Sequence, residues 1–414
     1  MPWTPPTRSA WVDPLNALGA SLGDGGRQLV PLDVDRALRA AAESTGLDDF
    51  GDGGFREGLR ILLRALEEEA QLTLLGRLMA RAEVARILES RLRIEKIFRD
   101  HPEIEDEEIV APIFVTGLAR TGTSLLHELL WRDPGNRAPI TWEMMYPAAA
   151  VAGSGEDIAG TIARAEREVR IQDHIVPAMR TMHELGAELP NECIYIFAHE
   201  FASDMFTGFF RIPSYTLWKG TADPAPWYAY HRRFLKLLQW KRPRRRWVLK
   251  APSHMSHLET LFQTYPDAHV ILTHRDPLQV LGSLADLMAS LQWMRSDDPH
   301  YDEVVQAMAF GYAYLPGKVM EQRDSGALPA DRILDVRYPD LVADPIGTVR
   351  RIYEHCGDPL THEAAERLEA WMRQRPKDRH GTHRYAFADT GLDLAAERPR
   401  HAAYQARFDI PSEL

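Results

Sequence analysis

The stretch Pro112-Ile113-Phe114-Val115-Thr116-Gly117-Leu118-Ala119-Arg120-Thr121-Gly122-Thr123-Ser124 passes from an extended apolar run, through a glycine-flanked loop, into a helix. The β-branched and aromatic residues before Gly117 favour a strand. From Thr123 the apolar positions Leu125, Leu126, Leu129 and Leu130 follow helical spacing. Gly117 to Ser124 has the spacing of the phosphate-binding loop G-x-x-x-x-G-K-[ST], in the strand-to-helix context that motif requires. Thr123 occupies the lysine position, and the cation of the loop is Arg120. Glycines allow close backbone approach and a helix N-terminus favours negative charge, so an anion site is expected here.

Outward from this loop, strand-like runs recur at Trp247-Val248-Leu249, His269-Val270-Ile271-Leu272-Thr273 and Ile333-Leu334-Asp335-Val336, with helical stretches between them. Short apolar strands alternating with helices predict an α/β fold, a central parallel sheet flanked by helices. Before it, leucines, isoleucines and alanines at three- and four-residue spacing from Phe55 to about Asp100 predict a helical layer. The expected organisation is a helical N-terminal extension over 1–108 and an α/β domain over 109–414, with a helical insertion at about 150–242 on the acceptor side.

Composition narrows the class. With 45% hydrophobic and 26% charged residues the chain is an ordinary globular one. A net charge of −11 disfavours nucleic-acid or other polyanion partners. The basic run Lys241, Arg242, Arg244, Arg245, Arg246 reads as a helix end leading into a strand. No leader-like start and no long apolar run appear, and the two cysteines, Cys193 and Cys356, form neither a disulfide framework nor a zinc-ligand pair, so a cytoplasmic protein without an integral membrane segment is expected.

Arg120-Thr121-Gly122-Thr123-Ser124 resembles the 5'-phosphosulfate loop of the sulfotransferase family. His274-Arg275-Asp276-Pro277 followed by Ser283 is similar to the family's arginine and serine, eight residues apart, on the 3'-phosphate of the donor. Tyr338-Pro339-Asp340-Leu341 resembles the segment whose tyrosine contacts adenine, and Lys377-Asp378-Arg379-His380-Gly381 the loop that closes over the 3'-phosphate, with His380 in place of lysine. Trp247 to His254 looks like the bacterial branch. The resemblance spans about Pro112 to Gly381 and implies a P-loop-like fold, 3'-phosphoadenylyl sulfate (PAPS) as co-substrate and transfer to a hydroxyl of a small or lipid-like acceptor. It places Arg120, Thr121, Gly122, Thr123 and Ser124 on the phosphosulfate, and Arg275, Ser283, Tyr338, Arg379, His380 and Gly381 on the rest of the nucleotide. A donor with one 5'-phosphate and a sulfuryl group carries less charge than a nucleoside triphosphate and dispenses with the loop lysine and Mg²⁺.

Arg120 and Lys250 are expected to stabilise charge on the leaving phosphate, Lys250 pointing from a strand end toward the loop if the strands are neighbours. Two residues compete as general base. Glu143, flanked by Trp142, Met144 and Tyr146, matches a glutamate used in the tyrosylprotein and trehalose branches, and His254 resembles the histidine of the small-molecule branch. Glu184, Glu188 and Glu192, preceded by His183, read as a carboxylate row on one helix face, lining the acceptor pocket or simply solvated. The histidine pairs His254/His257 and His380/His383 lack H-E-x-x-H spacing, and no metal is expected. An aromatic stretch from Phe197 to Trp218 suggests core packing or, where exposed, a hydrophobic acceptor. A P-loop kinase and a non-catalytic binder of adenosine 3',5'-bisphosphate (PAP) are the alternatives, and a homo-oligomer is left open.

Overall fold

The computed structural model describes residues 3–182, 185–374 and 386–414. Five parallel strands, β1 (Ile113–Gly117), β2 (Asn136–Arg137), β3 (Arg246–Lys250), β4 (His269–His274) and β5 (Ile333–Arg337), lie in the order β2-β3-β1-β4-β5. The two-residue β2 carries no sequence pattern of its own. β1 is central because every residue in it is apolar, small or internally bonded, and all five are buried. Its side chains alternate: Ile113 and Val115 pack with Val248 and Ile271 on one face, while Phe114 packs with Leu249, Val270 and Leu272 on the other. The register sets Val115 beside Lys250 and Gly117 beside Thr273, so the C-terminal ends of three neighbouring strands converge on the loop after β1. The order of strands reverses direction at β1, where open α/β sheets bind ligands.

Helices α1 (Val12–Ser21), α2 (Val34–Thr45), α3 (Phe55–Glu68) and α4 (Leu74–Asp100) form the expected helical layer. Leu59, Leu62, Leu63 and Leu66 of α3 and Ile87 and Leu88 of α4 bury against Phe201, Phe206 and Tyr215. Arg91 of α4 is fully buried and pairs with Glu200 at 2.5 Å, which locks this layer to the aromatic stretch. Further along α4, Ile94 and Phe98 join the core of the sheet. Helix α5 (Thr123–Trp131) covers the opposite face of β1 through Leu126, Leu129 and Leu130.

Two of the fully buried histidines, His127 and His199, contribute acid sensitivity to the fold. Burial, aided by Lys250 beside His127 and by Arg86 and Arg91 near His199, holds both imidazoles down to about 3. They stay neutral in the fold but take up a proton in the unfolded chain below about pH 6.5. Protons therefore favour the unfolded state across the window from about 6.5 to 3, and stability falls as pH falls. Denaturant unfolding at stepped pH is expected to show a loss approaching about 3 kcal/mol per pH unit from the pair in the middle of that window.

Candidate active site

The loop after β1 is shaped by its glycines. Gly117 has φ +146°, and a Cβ there would lie 2.4 Å from the Thr273 hydroxyl. At Gly122, φ +92°, a Cβ would lie 3.0 Å from the Tyr338 ring and 2.9 Å from Leu341. Arg120 also takes a left-handed φ of +69°, a strained conformation for a non-glycine residue and one that recurs at ligand sites. Its side chain is exposed and lines the adjoining cavity. The Thr121 hydroxyl donates to the Leu118 carbonyl and meets the Thr273 hydroxyl, each at 2.6 Å, so it braces the loop on β4. Helix α5 begins at Thr123 with no side-chain cap and no acidic residue in its first turn, leaving the N–H groups of its first turn to an anion.

Lys250 ends β3 and is buried, and its ammonium donates to Ser124 Oγ at 3.3 Å and to Glu192 at 2.6 Å. The expectation that it faces the loop holds because β3 is the immediate neighbour of β1. Glu192 does not lie on a helix. A turn at 186–189, closed by the Leu189 N–H on the Gly186 carbonyl, packs against the chain at 139–142: the Thr141 and Trp142 N–H groups bond the carbonyls of Leu189 and Ala187, the Asn191 N–H bonds the Pro139 carbonyl, and Cys193 N–H then bonds the Lys250 carbonyl at 2.8 Å. This crossing delivers the Glu192 carboxylate to the lysine. Glu188 lies exposed in a turn, so it and Glu192 do not share a helix face; His183 and Glu184 lie outside the described residues.

Arg275 leaves the end of β4 beside the loop. Its guanidinium donates to the Arg120 carbonyl at 3.3 Å, covers the Tyr338 ring at 4.0 Å, and binds the Glu413 carboxylate at 2.8 to 3.2 Å. Arg275, Tyr338 and Gly122 are thus brought together from three segments. Ser283 is buried two turns along the helix Pro277–Trp293 that follows Arg275. Arg379, His380 and Gly381 lie outside the described residues.

The two residues weighed as base, Glu143 and His254, are both engaged by other side chains and are not among the residues lining the adjoining cavity. Glu143 is buried but held by two guanidiniums, Arg137 at 3.0 Å and Arg242 at 3.2 Å, and is not among the cavity-lining residues. Its apolar sequence neighbours turn elsewhere, and its partners come from β2 and the basic run before β3. His254 turns into the core, bonded through Nδ1 to the Tyr228 hydroxyl at 2.8 Å, with Phe114 edge-on at 4.9 Å. Burial drives its pKa well below the usual imidazole range.

A cavity of about 790 Å³ opens from Arg120, Ser124 and Glu192. Its far wall is apolar, including Phe209, Phe210, Leu287, Met288, Leu291 and Met308. Phe201, Phe206 and Phe210 belong to the core, and Phe210, with Phe209, also borders this space. Among the described residues no helix is long and apolar enough to cross a membrane.

A parallel sheet with a glycine-shaped loop at its switch point, a lysine from the adjacent strand and an arginine–tyrosine pair from the next two define a P-loop-like class of fold. A sulfotransferase family model matches residues 112–362, and the chain belongs to that family. It is 28% identical over 264 residues to the omega-hydroxy-beta-dihydromenaquinone-9 sulfotransferase Stf3 of Mycobacterium bovis, covering 61% of this chain and 64% of that protein. The chain thus spans less than two thirds of the length of the curated relatives it matches. Among solved structures it resembles the sulfotransferase STF9 of Mycobacterium avium, with a TM-score of 0.81 at 28% identity over 92% of this chain and 97% of that one. STF1 of Mycobacterium tuberculosis gives 0.75 at 30% identity over 90% and 98%.

Proposed function

We propose that this chain transfers a sulfuryl group from PAPS to the hydroxyl of a lipid-like acceptor, with Glu192 as general base and Lys250 and Arg120 stabilising the leaving 5'-phosphate. The observation that carries this reading is the bridge Ser124–Lys250–Glu192, which joins the anion loop to a carboxylate at the mouth of an apolar cavity. The acceptor oxygen forms its bond to sulfur as the bond between sulfur and the 5'-phosphate oxygen breaks. The hydroxyl proton passes to Glu192, and the new negative charge on the phosphate falls beside Lys250, Arg120 and the first N–H groups of α5. Two side-chain cations serve the leaving group, so turnover is expected to persist in EDTA.

Arg275 and Tyr338 would hold the 3'-phosphate and adenine. That Arg275 already binds a carboxylate supports its fitness for an anion: Glu413 stands in for the phosphate, and the nucleotide must displace it. Glu413→Ala is accordingly expected to tighten PAP binding about threefold to tenfold by calorimetry. Unchanged or weaker binding would remove Arg275 from the nucleotide site.

The apolar wall favours a long hydrocarbon chain on the acceptor, and the mycobacterial relatives are named for a hydroxylated dihydromenaquinone. Transfer of labelled sulfur from PAPS to a long isoprenoid alcohol in micelles, compared with a short alcohol, tests this directly. The long alcohol should react at least about tenfold faster in kcat/KM. Equal rates would contradict a lipid-like acceptor.

A further inference from the structure

Away from the transfer site, Cys193, His231 and His254 converge in the core from three separate segments. All three are fully buried, and one donor atom of each lies within 4.8 Å of the others. Cys193 opens the short helix Ile194–Phe197, His231 lies in the helix Ala225–Gln239, and His254 sits in the turn after β3. Each imidazole is oriented by a tyrosine: His231 Nδ1 meets the Tyr265 hydroxyl at 2.7 Å, and His254 Nδ1 meets the Tyr228 hydroxyl at 2.8 Å. Both Nε2 atoms are buried with no hydrogen-bond partner. Buried ring nitrogens are ordinarily paired.

Imidazoles held through Nδ1 and presenting Nε2 are the arrangement that metal-binding histidines adopt, the second nitrogen fixing ring and tautomer. We propose that Cys193, His231 and His254 bind one d¹⁰ metal ion, through the Cys193 thiolate and the two Nε2 atoms. Sulfur and imidazole donors without a carboxylate select Cu⁺ or Zn²⁺ over the hard ions Mg²⁺ and Ca²⁺. Bond lengths of about 2.0–2.3 Å require donor separations of about 3.3–3.7 Å, so the three groups close by about 1 Å around the ion. Binding releases the thiol proton, one per ion. A monovalent ion with one thiolate is neutral, and the surrounding rings of Phe114, Phe197 and Tyr228 favour that charge, hence Cu⁺ over Zn²⁺. The ion takes no part in sulfuryl transfer. It ties the backbone at Cys193, next to Glu192, to the turn that follows Lys250.

The full chain is purified under reducing conditions from cells grown with added zinc or, separately, added copper, and its metal content is measured alongside Cys193→Ser and Cys356→Ser. About one ion per chain is expected in the parent and in Cys356→Ser, and less than about a tenth in Cys193→Ser. Occupancy in the zinc arm alone would retain the site and make its ion divalent. Because Cys193→Ser could fail to fold, Co²⁺ is also refolded into the parent chain, where a thiolate-to-cobalt charge-transfer band is expected. Absence of both metals and of that band from the parent, or full occupancy retained in Cys193→Ser, overturns the proposal.

Discussion

Replacing Lys250 with methionine is expected to lower kcat by about 100- to 1000-fold, the loss seen when one preorganised donor to a developing oxyanion is removed. Methionine keeps the length and packing of the buried stem while removing the ammonium that spans Ser124 and Glu192. PAP should still bind within about tenfold, because the loop N–H groups and Arg275 remain and the lysine acts mainly on charge that appears during transfer. The Glu192 side chain, 17% exposed, loses its cation, so urea unfolding should show a modest loss of about 1–2 kcal/mol. A kcat within about tenfold of the parent would remove Lys250 from the chemistry.

Glu192→Gln is expected to lower kcat by about 100- to 10,000-fold, the range for loss of a positioned general base. The amide oxygen can still accept from Lys250, so PAP affinity should stay within about threefold and the fold should be intact. The same substitution at Glu143 separates the two carboxylates. Glu143→Gln weakens a buried pairing with Arg137 and Arg242 and should cost about 1–3 kcal/mol of stability, with kcat preserved within about threefold. The reverse pattern, inactive Glu143→Gln with active Glu192→Gln, would restore the base to the position favoured from sequence.

What could be seen in sequence was what local periodicity and motif spacing encode. The change at Gly117 from an apolar, β-branched run to helical spacing marked β1, the loop and α5, and the apolar runs marked β3, β4 and β5. Once β3 pairs with β1, Lys250 must stand beside the loop, so its role followed from a single assumption about strand order. Glu192 was not singled out as a base because the surroundings that recommend it are long-range. Glu143 has apolar neighbours in sequence, yet its partners Arg137 and Arg242 arrive from elsewhere. Glu192 seemed one of a helical row, but the chain turns at 186–189 and Pro190 bridges to Ile140, which brings the carboxylate to Lys250. Glu413 lies far from any motif and reaches Arg275 only through tertiary folding. The histidine spacing around His254 likewise gave no hint of Cys193 and His231, which come from other elements.

The central claim is that the loop after β1, with Arg275 and Tyr338, binds a 3'-phosphorylated adenine nucleotide. Calorimetric titration of the purified chain with PAP, with ATP as control and EDTA throughout, tests it most directly. Micromolar binding of PAP is expected, with ATP at least about tenfold weaker because it lacks the 3'-phosphate that Arg275 would meet. No binding of PAP, or binding of ATP alone once Mg²⁺ is restored, would contradict it and favour phosphoryl transfer from a nucleoside triphosphate.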